Sequence, residues 1–189
     1  DHSPVSIVIK NGEIKKITKL GRLSGDKKNN YIAPGFIDIQ VNGYAGVSFS
    51  FSGGALTMEG IRKVTQALWE EGVTTFLPTL TTNNKDTLLK NFELLAAVID
   101  DPDLLGSIPG FHLEGPYISP LDGYRGAHPA VYVRKPDWKE FMELYEASGQ
   151  NILYVTLAPE TESALEFITR CKEIGIMIKF RISDVRFRI

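Results

Sequence analysis

Hydrophobic and polar positions follow two periods along this chain, and the periods take turns. Val5-Ser6-Ile7-Val8-Ile9-Lys10 and Glu13-Ile14-Lys15-Lys16-Ile17 are β-rich runs on either side of Asn11-Gly12. An Asn-Gly pair suits a type I′ turn, whose two central residues need positive φ, so residues 5 to 18 predict a hairpin. A lone hairpin is marginal in water and must pack on something else. Gly21 to Asn30 is a polar connector, and Pro34-Gly35 introduces the next strand, Phe36-Ile37-Asp38-Ile39-Gln40-Val41-Asn42. A period of two places Asp38, Gln40 and Asn42 on one face of it and Ile37, Ile39 and Val41 on the other.

From here a strand-then-helix unit repeats, the signature of a parallel sheet with crossover helices. Met58, Ile61, Val64 and Leu68 trace a helical face that ends at Gly72, a plausible left-handed stop. Val73 to Leu77 is a β-branched and aromatic strand, and Leu88, Phe92 and Leu95 mark a second helix ending near Ile99. Ile108 to Glu114 predicts a third strand, Asp137 to Ala147 a helix, and Ile152 to Leu157 a fourth strand. Pro159-Glu160 suits a helix start, with Leu165, Ile168 and Cys171 on the buried face and Gly175 after it; Ile176 to Ile178 begins a fifth strand. This order fits an open doubly wound sheet or the first part of an eight-fold barrel. The open sheet normally carries G-x-G-x-x-G after its first strand, and Asn42-Gly43-Tyr44-Ala45-Gly46-Val47 does not fit that spacing. The favoured fold class is therefore α/β, a partial TIM-type (β/α) barrel of about five strands preceded by a β-hairpin.

Composition narrows the picture further. Of 189 residues 43% are apolar and 23% charged, which is globular, and the net charge of −2 gives no reason to expect nucleic acid. Cys171 is the only cysteine, so no disulfide framework forms within the chain and a reducing compartment fits. No apolar run approaches the roughly 20 residues that cross a bilayer, so no membrane partner is expected and the default location is cytoplasmic.

Chemistry gathers at the carboxyl ends of strands in parallel α/β folds, because the following loops converge there. Phe111-His112-Leu113-Glu114-Gly115-Pro116 delivers Glu114 to such an end, either as an anionic metal ligand or general base or as an ordinary cap or ion-pair carboxylate. His112 shares the strand face of Glu114; a second ligand and a buried His satisfied by a backbone carbonyl are both open. His128 sits in Gly126-Ala127-His128-Pro129, where small residues admit a ligand to the backbone but where a solvent-exposed loop histidine is the commoner case. Gln40 and Asn42 are poor metal ligands that orient water or substrate, or are simply polar strand-end residues. A zinc hydrolase needs about three protein ligands and an open water position, and spacing offers only Glu114 as a firm one.

Several of these segments resemble one family. Ile32-Ala33-Pro34-Gly35-Phe36-Ile37-Asp38 is similar to the segment that leads the amidohydrolase superfamily from a small β-sandwich into its first barrel strand. Most of that superfamily ends the strand His-x-His; Gln40-Val41-Asn42 followed by Gly43 resembles the N-acetylglucosamine-6-phosphate deacetylase branch instead. Gly72-Val73-Thr74-Thr75-Phe76 with Pro78-Thr79-Leu80, His112-Leu113-Glu114-Gly115-Pro116, Arg125-Gly126-Ala127-His128-Pro129 and Val155-Thr156-Leu157-Ala158-Pro159-Glu160 are similar to the same branch, a likeness running from about Val5 to Met177. The resemblance implies removal of the acetyl group from N-acetylglucosamine 6-phosphate, giving glucosamine 6-phosphate and acetate, in amino-sugar catabolism. It implies one divalent metal, often zinc, with Glu114 as a ligand, Ala127 and His128 as substrate-contacting positions, and a homodimer in the full-length family. Domains are then expected at 1–31, part of the β-sandwich, and 32–178, the first part of the barrel, with 179–189 a divergent tail.

That tail is where the resemblance stops. After Ile176-Met177-Ile178 the family continues through a Gly-His-Ser-like turn bearing a second metal ligand, then a third ligand and a catalytic Asp; this chain reads Lys179-Phe180-Arg181-Ile182-Ser183-Asp184 and on to Ile189, and Asp184 matches nothing assignable. The expectation is a truncated form, inactive by itself. The alternatives are a non-catalytic product that associates with a full-length subunit and an amidohydrolase acting on another amide.

Overall fold

In the computed structural model the structure describes residues 4–21, 31–50 and 56–181. These fall into two compact units that divide between Pro34 and Gly35. The first is a two-stranded antiparallel hairpin, β1 (Val5–Lys10) and β2 (Glu13–Lys19). Asn11 and Gly12 have φ of 53° and 74°, the paired positive values that a type I′ turn requires. Ile9, Ile14 and Ile17 are each 60% exposed, so the hairpin does not bury its own apolar side chains. Most of the connector, residues 22–30, and the end of the chain from 182, including Asp184, lie outside the described residues.

The second unit is built on five parallel strands in the order β3 (Phe36–Val41), β6 (Val73–Thr81), β7 (Phe111–Glu114), β8 (Ile152–Leu157), β9 (Met177–Phe180). A small ribbon, β4 (Gly43–Tyr44) with β5 (Val47–Ser48), follows β3. The crossovers carry α1 (Met58–Glu70), α2 (Lys85–Val98), α3 (Trp138–Ala147) and α4 (Ala164–Glu173). Because strand order equals sequence order, each unit adds at the same edge, as in a barrel and not as in a doubly wound sheet. The sheet curls: Lys179 at the end of β9 reaches Gln40 at the end of β3, so the two edge strands meet across the mouth through their side chains.

The helices form where their apolar stripe meets the sheet and begin where a side chain caps free N–H groups. Thr57, Asn84 and Asp137 accept from the amides of Gly60, Thr87 and Glu140 at the starts of α1, α2 and α3. Ile61, Val64 and Leu68 of α1, Leu88, Phe92 and Leu95 of α2, and Phe141 and Leu144 of α3 are buried in one continuous core with Phe76, Leu80, Phe111, Leu113 and Val155 of the strands. Gly72 ends the α1 segment at φ 82°, the left-handed stop that its position suggested. Cys171 lies wholly inside this layer, where burial pushes its thiol up to about 12 and leaves it a packing group.

Four expectations are corrected. Helix α4 starts at Ala164, not at Pro159: Ala158 donates to the Tyr117 carbonyl and its own carbonyl accepts from Thr161, so Pro159-Glu160 is spent on a turn. Its buried face is accordingly Ala164, Phe167 and Cys171, while Leu165 is 59% exposed. Strand β6 runs through Pro78 to Thr81; Pro78 is tolerated because its pairing to Val41 falls at an irregularity in the β3–β6 ladder. Strand β7 begins at Phe111 and not Ile108. The fifth strand, expected to begin at Ile176 to Ile178, is β9, which pairs Thr156 with Lys179 and Leu157 with Phe180.

Candidate active site at the strand ends

Alternation along β7 separates two environments. Phe111 and Leu113 enter the helix-facing core, and His112 and Glu114 face the other side of the sheet. Glu114 is only 7% exposed and its ends are engaged separately. Oε2 accepts from Gln40 Nε2 at 3.0 Å and from Asn42 Nδ2 at 3.1 Å. Oε1 lies 3.7 Å from His128 Nε2 and 3.5 Å from an Arg181 terminal nitrogen. Burial is the largest single influence on this carboxyl and opposes its ionisation, but His128 and Asn42 together outweigh it and hold Glu114 down to about 2. At 3.7 Å His128 acts by charge and dipole, since that separation is too long for a hydrogen bond. Glu114 is thus an ionised, buried carboxylate at neutral pH.

The loop after β7 is fixed in direction by Gly115. Its φ is 77° and a Cβ there would lie 2.1 Å from Thr82 Oγ1, so only glycine lets the chain leave the strand here. Farther on, Arg134 pins the loop: it pairs with Glu140 of α3 and donates to the carbonyls of Asn83 and Tyr132. Between these anchors His128 turns inward. It is 7% exposed, its Nδ1 lies 2.9 Å from Thr82 Oγ1, and its carbonyl accepts from Arg125. The exposed-loop reading of His128 is therefore overturned, because Thr82 and Glu114 supply polar partners for a buried ring. Neighbouring Ala127 is exposed beside it.

His112 is not a free ligand. Its ring bridges two strands, with Nδ1 3.3 Å from Thr79 Oγ1 and Nε2 2.7 Å from Thr156 Oγ1, and the Ile39 backbone adds to these hydroxyl partners. Burial lowers it to about 4, which makes it neutral at pH 7. Thr79, Thr82, Thr156 and Arg181 were not among the candidates from sequence. Thr79 and Thr156 lie near the ends of β6 and β8 and Thr82 just after β6, where they were legible only as polar residues close to a strand end. A cavity of about 240 Å³ lined by Trp138, Glu166, Phe167 and Arg170 shares no residue with this cluster.

A curled parallel sheet that points a buried carboxylate at the mouth, with amides and a histidine around it, defines an enzyme-type strand-end site. The chain belongs to the amidohydrolase family, whose model matches residues 31–180. It is 39% identical over 160 residues to the N-acetylglucosamine-6-phosphate deacetylase of Caenorhabditis elegans, covering 82% of this chain and 38% of that one. To the deacetylase of Danio rerio it is 37% identical over 155 residues, covering 81% and 37%. A Mycobacterium smegmatis deacetylase variant solved in complex with N-acetyl-D-glucosamine-6-phosphate superposes with a TM-score of 0.76 at 29% identity, over 92% of this chain and 44% of that one. The chain thus spans less than half the length of these relatives.

Amidohydrolases generally bind a divalent metal. Among the described residues no group of three or more His, Cys, Asp or Glu side chains is placed to hold one. The donor set around Glu114 explains why: one carboxylate, one imidazole, two amides turned nitrogen-first toward the carboxylate, and a guanidinium. A zinc centre takes about three anionic or imidazole ligands and no adjacent cation, so these residues do not by themselves fit a metal.

Proposed function

We propose that Gly35–Arg181 carries the first part of a deacetylase site for N-acetylglucosamine 6-phosphate. The observation that supports this reading most is the buried, ionised Glu114 at the end of β7, flanked by Gln40, Asn42 and His128. Its sequence context is shared with relatives of that name. In this reading Glu114 is the anionic anchor of the reacting centre. Ala127 and His128 meet the sugar phosphate, with His128 held by Thr82 so that Nε2 faces the carboxylate. Gln40 and Asn42, in place of a histidine pair, keep Glu114 oriented by charge-assisted hydrogen bonds. The 189-residue chain alone is inactive, since the described residues do not assemble a ligand set.

Two assays test this. Acetate release from N-acetylglucosamine 6-phosphate should be undetectable with the purified chain; turnover comparable to a complete relative would refute its inactivity. Residues 35–178 placed in the C. elegans relative, in exchange for the matching segment, should give an active chimera. In that chimera Glu114→Ala should lower activity by more than about 100-fold, the upper range for losing even an indirect metal contact. An active chimera indifferent to Glu114→Ala would overturn the assignment.

A further inference from the structure

We propose that Arg181, seconded by Lys179, is a resident counter-cation that closes the Glu114 site to divalent metal in this chain. The inference rests on the reading of Glu114 as the pivot of the site, and it concerns residues for which that reading had no role.

Arg181 is held from three directions. Its backbone N–H donates to the Leu157 carbonyl at 2.8 Å, which prolongs the β8–β9 ladder by one step beyond Phe180. Its Nε donates to the Tyr124 carbonyl at 3.1 Å, tying it to the Gly123–Ala127 loop. One terminal nitrogen lies 3.5 Å from Glu114 Oε1, and the other sits so close to Gly126 that a Cβ there would come within 2.5 Å of it. The guanidinium therefore fills the space between the carboxylate and the loop.

Lys179 completes the closure from the other oxygen. Its Nζ donates to Gln40 Oε1 at 2.6 Å, and Gln40 Nε2 donates onward to Glu114 Oε2. The ammonium thus fixes which way the Gln40 amide faces, and the only oxygen Gln40 could offer a hard cation is already taken. Asn42 likewise presents nitrogen to Glu114. Gln40 and Asn42 present N–H to one oxygen of the carboxylate, Arg181 presents cationic nitrogen to the other and His128 a single imidazole nitrogen, so a dication entering there meets one anionic ligand, one imidazole and two positive charges. Lys179 and Arg181 alternate along the end of β9, so a period of two delivers both to the mouth.

Co²⁺ and Zn²⁺ titrations of the full 189-residue chain, followed by calorimetry and by visible absorption of bound cobalt, test this. Wild type and Glu114→Gln should bind either ion equally weakly. Arg181→Gln, which keeps a donor at the position of Nε for the Tyr124 carbonyl but removes the charged end, should bind at least about tenfold tighter. That gain should vanish in the Arg181→Gln/Glu114→Gln double variant, and Arg181→Lys should behave as wild type. Glu114-dependent binding by wild type as tight as by Arg181→Gln would overturn the inference, and so would equal weak binding by both. If Arg181→Gln does not fold, the carboxyl carbon resonance of Glu114 in the wild-type chain decides: unmoved by Zn²⁺ it supports closure, moved it overturns it. Acetate release by Arg181→Gln bears only on the deacetylase reading, which can fail while the closure stands.

Discussion

Adjacent residues of β7 occupy two different kinds of matter. Phe111 and Leu113 are fully buried in one apolar core with Phe92, Leu95 and Val155, and have no polar atoms of their own to satisfy. His112 and Glu114 are nearly as buried, yet each of their polar atoms described here has a partner: Thr79 and Thr156 for His112, and Gln40, Asn42, His128 and Arg181 for Glu114. The contrast teaches where stability and chemistry reside. Apolar burial on the helix side carries the folding free energy, because it scales with area and demands no geometry. The mouth side is near neutral for stability while its pairs are intact, and costly only when one member is removed.

This ordering can be broken by measurement. The largest effect belongs to Phe111→Ala, expected to destabilise by about 3–5 kcal/mol in urea unfolding, since the ring leaves a cavity that the flanking strands cannot close. His112→Ala should cost less, about 1–3 kcal/mol, the cost of leaving the hydroxyls of Thr79 and Thr156 unpaired in a buried site. If His112→Ala proves the more damaging of the two, the division between the faces fails. Asn84→Ala removes the cap of α2 without touching either face, and about 1 kcal/mol is expected. Smallest of all, Glu166→Ala breaks an exposed pair with Arg170 and should change stability by no more than about 0.5 kcal/mol.

Legibility in the sequence followed the same division. The hairpin turn and the apolar stripes of α1 and α2 were readable because a local signal and the tertiary contact agree. Pro159 misled because a helix-start signal was overridden by the Tyr117 carbonyl, a contact 41 residues away in sequence. Glu114 was visible as a strand-end carboxylate, but its partners Gln40, His128 and Arg181 come from segments that only the curl of the sheet brings together. Lys179-Phe180-Arg181 reads as a departure from the family pattern; its alternation continues β9, and nothing local says that Arg181 meets Glu114. Phe36 and Ile37, 69% and 70% exposed, are large apolar side chains on the edge strand β3.

The central claim is that Arg181 beside Glu114, with Lys179 behind Gln40, holds the place a divalent metal would need at the strand-end carboxylate. A crystal structure of the 189-residue chain grown with excess Zn²⁺ tests it most directly. The expected result is the Arg181 guanidinium against Glu114 and Lys179 on Gln40, with no metal on the carboxylate. Zinc bound to Glu114, with Arg181 turned away toward solvent, would contradict it.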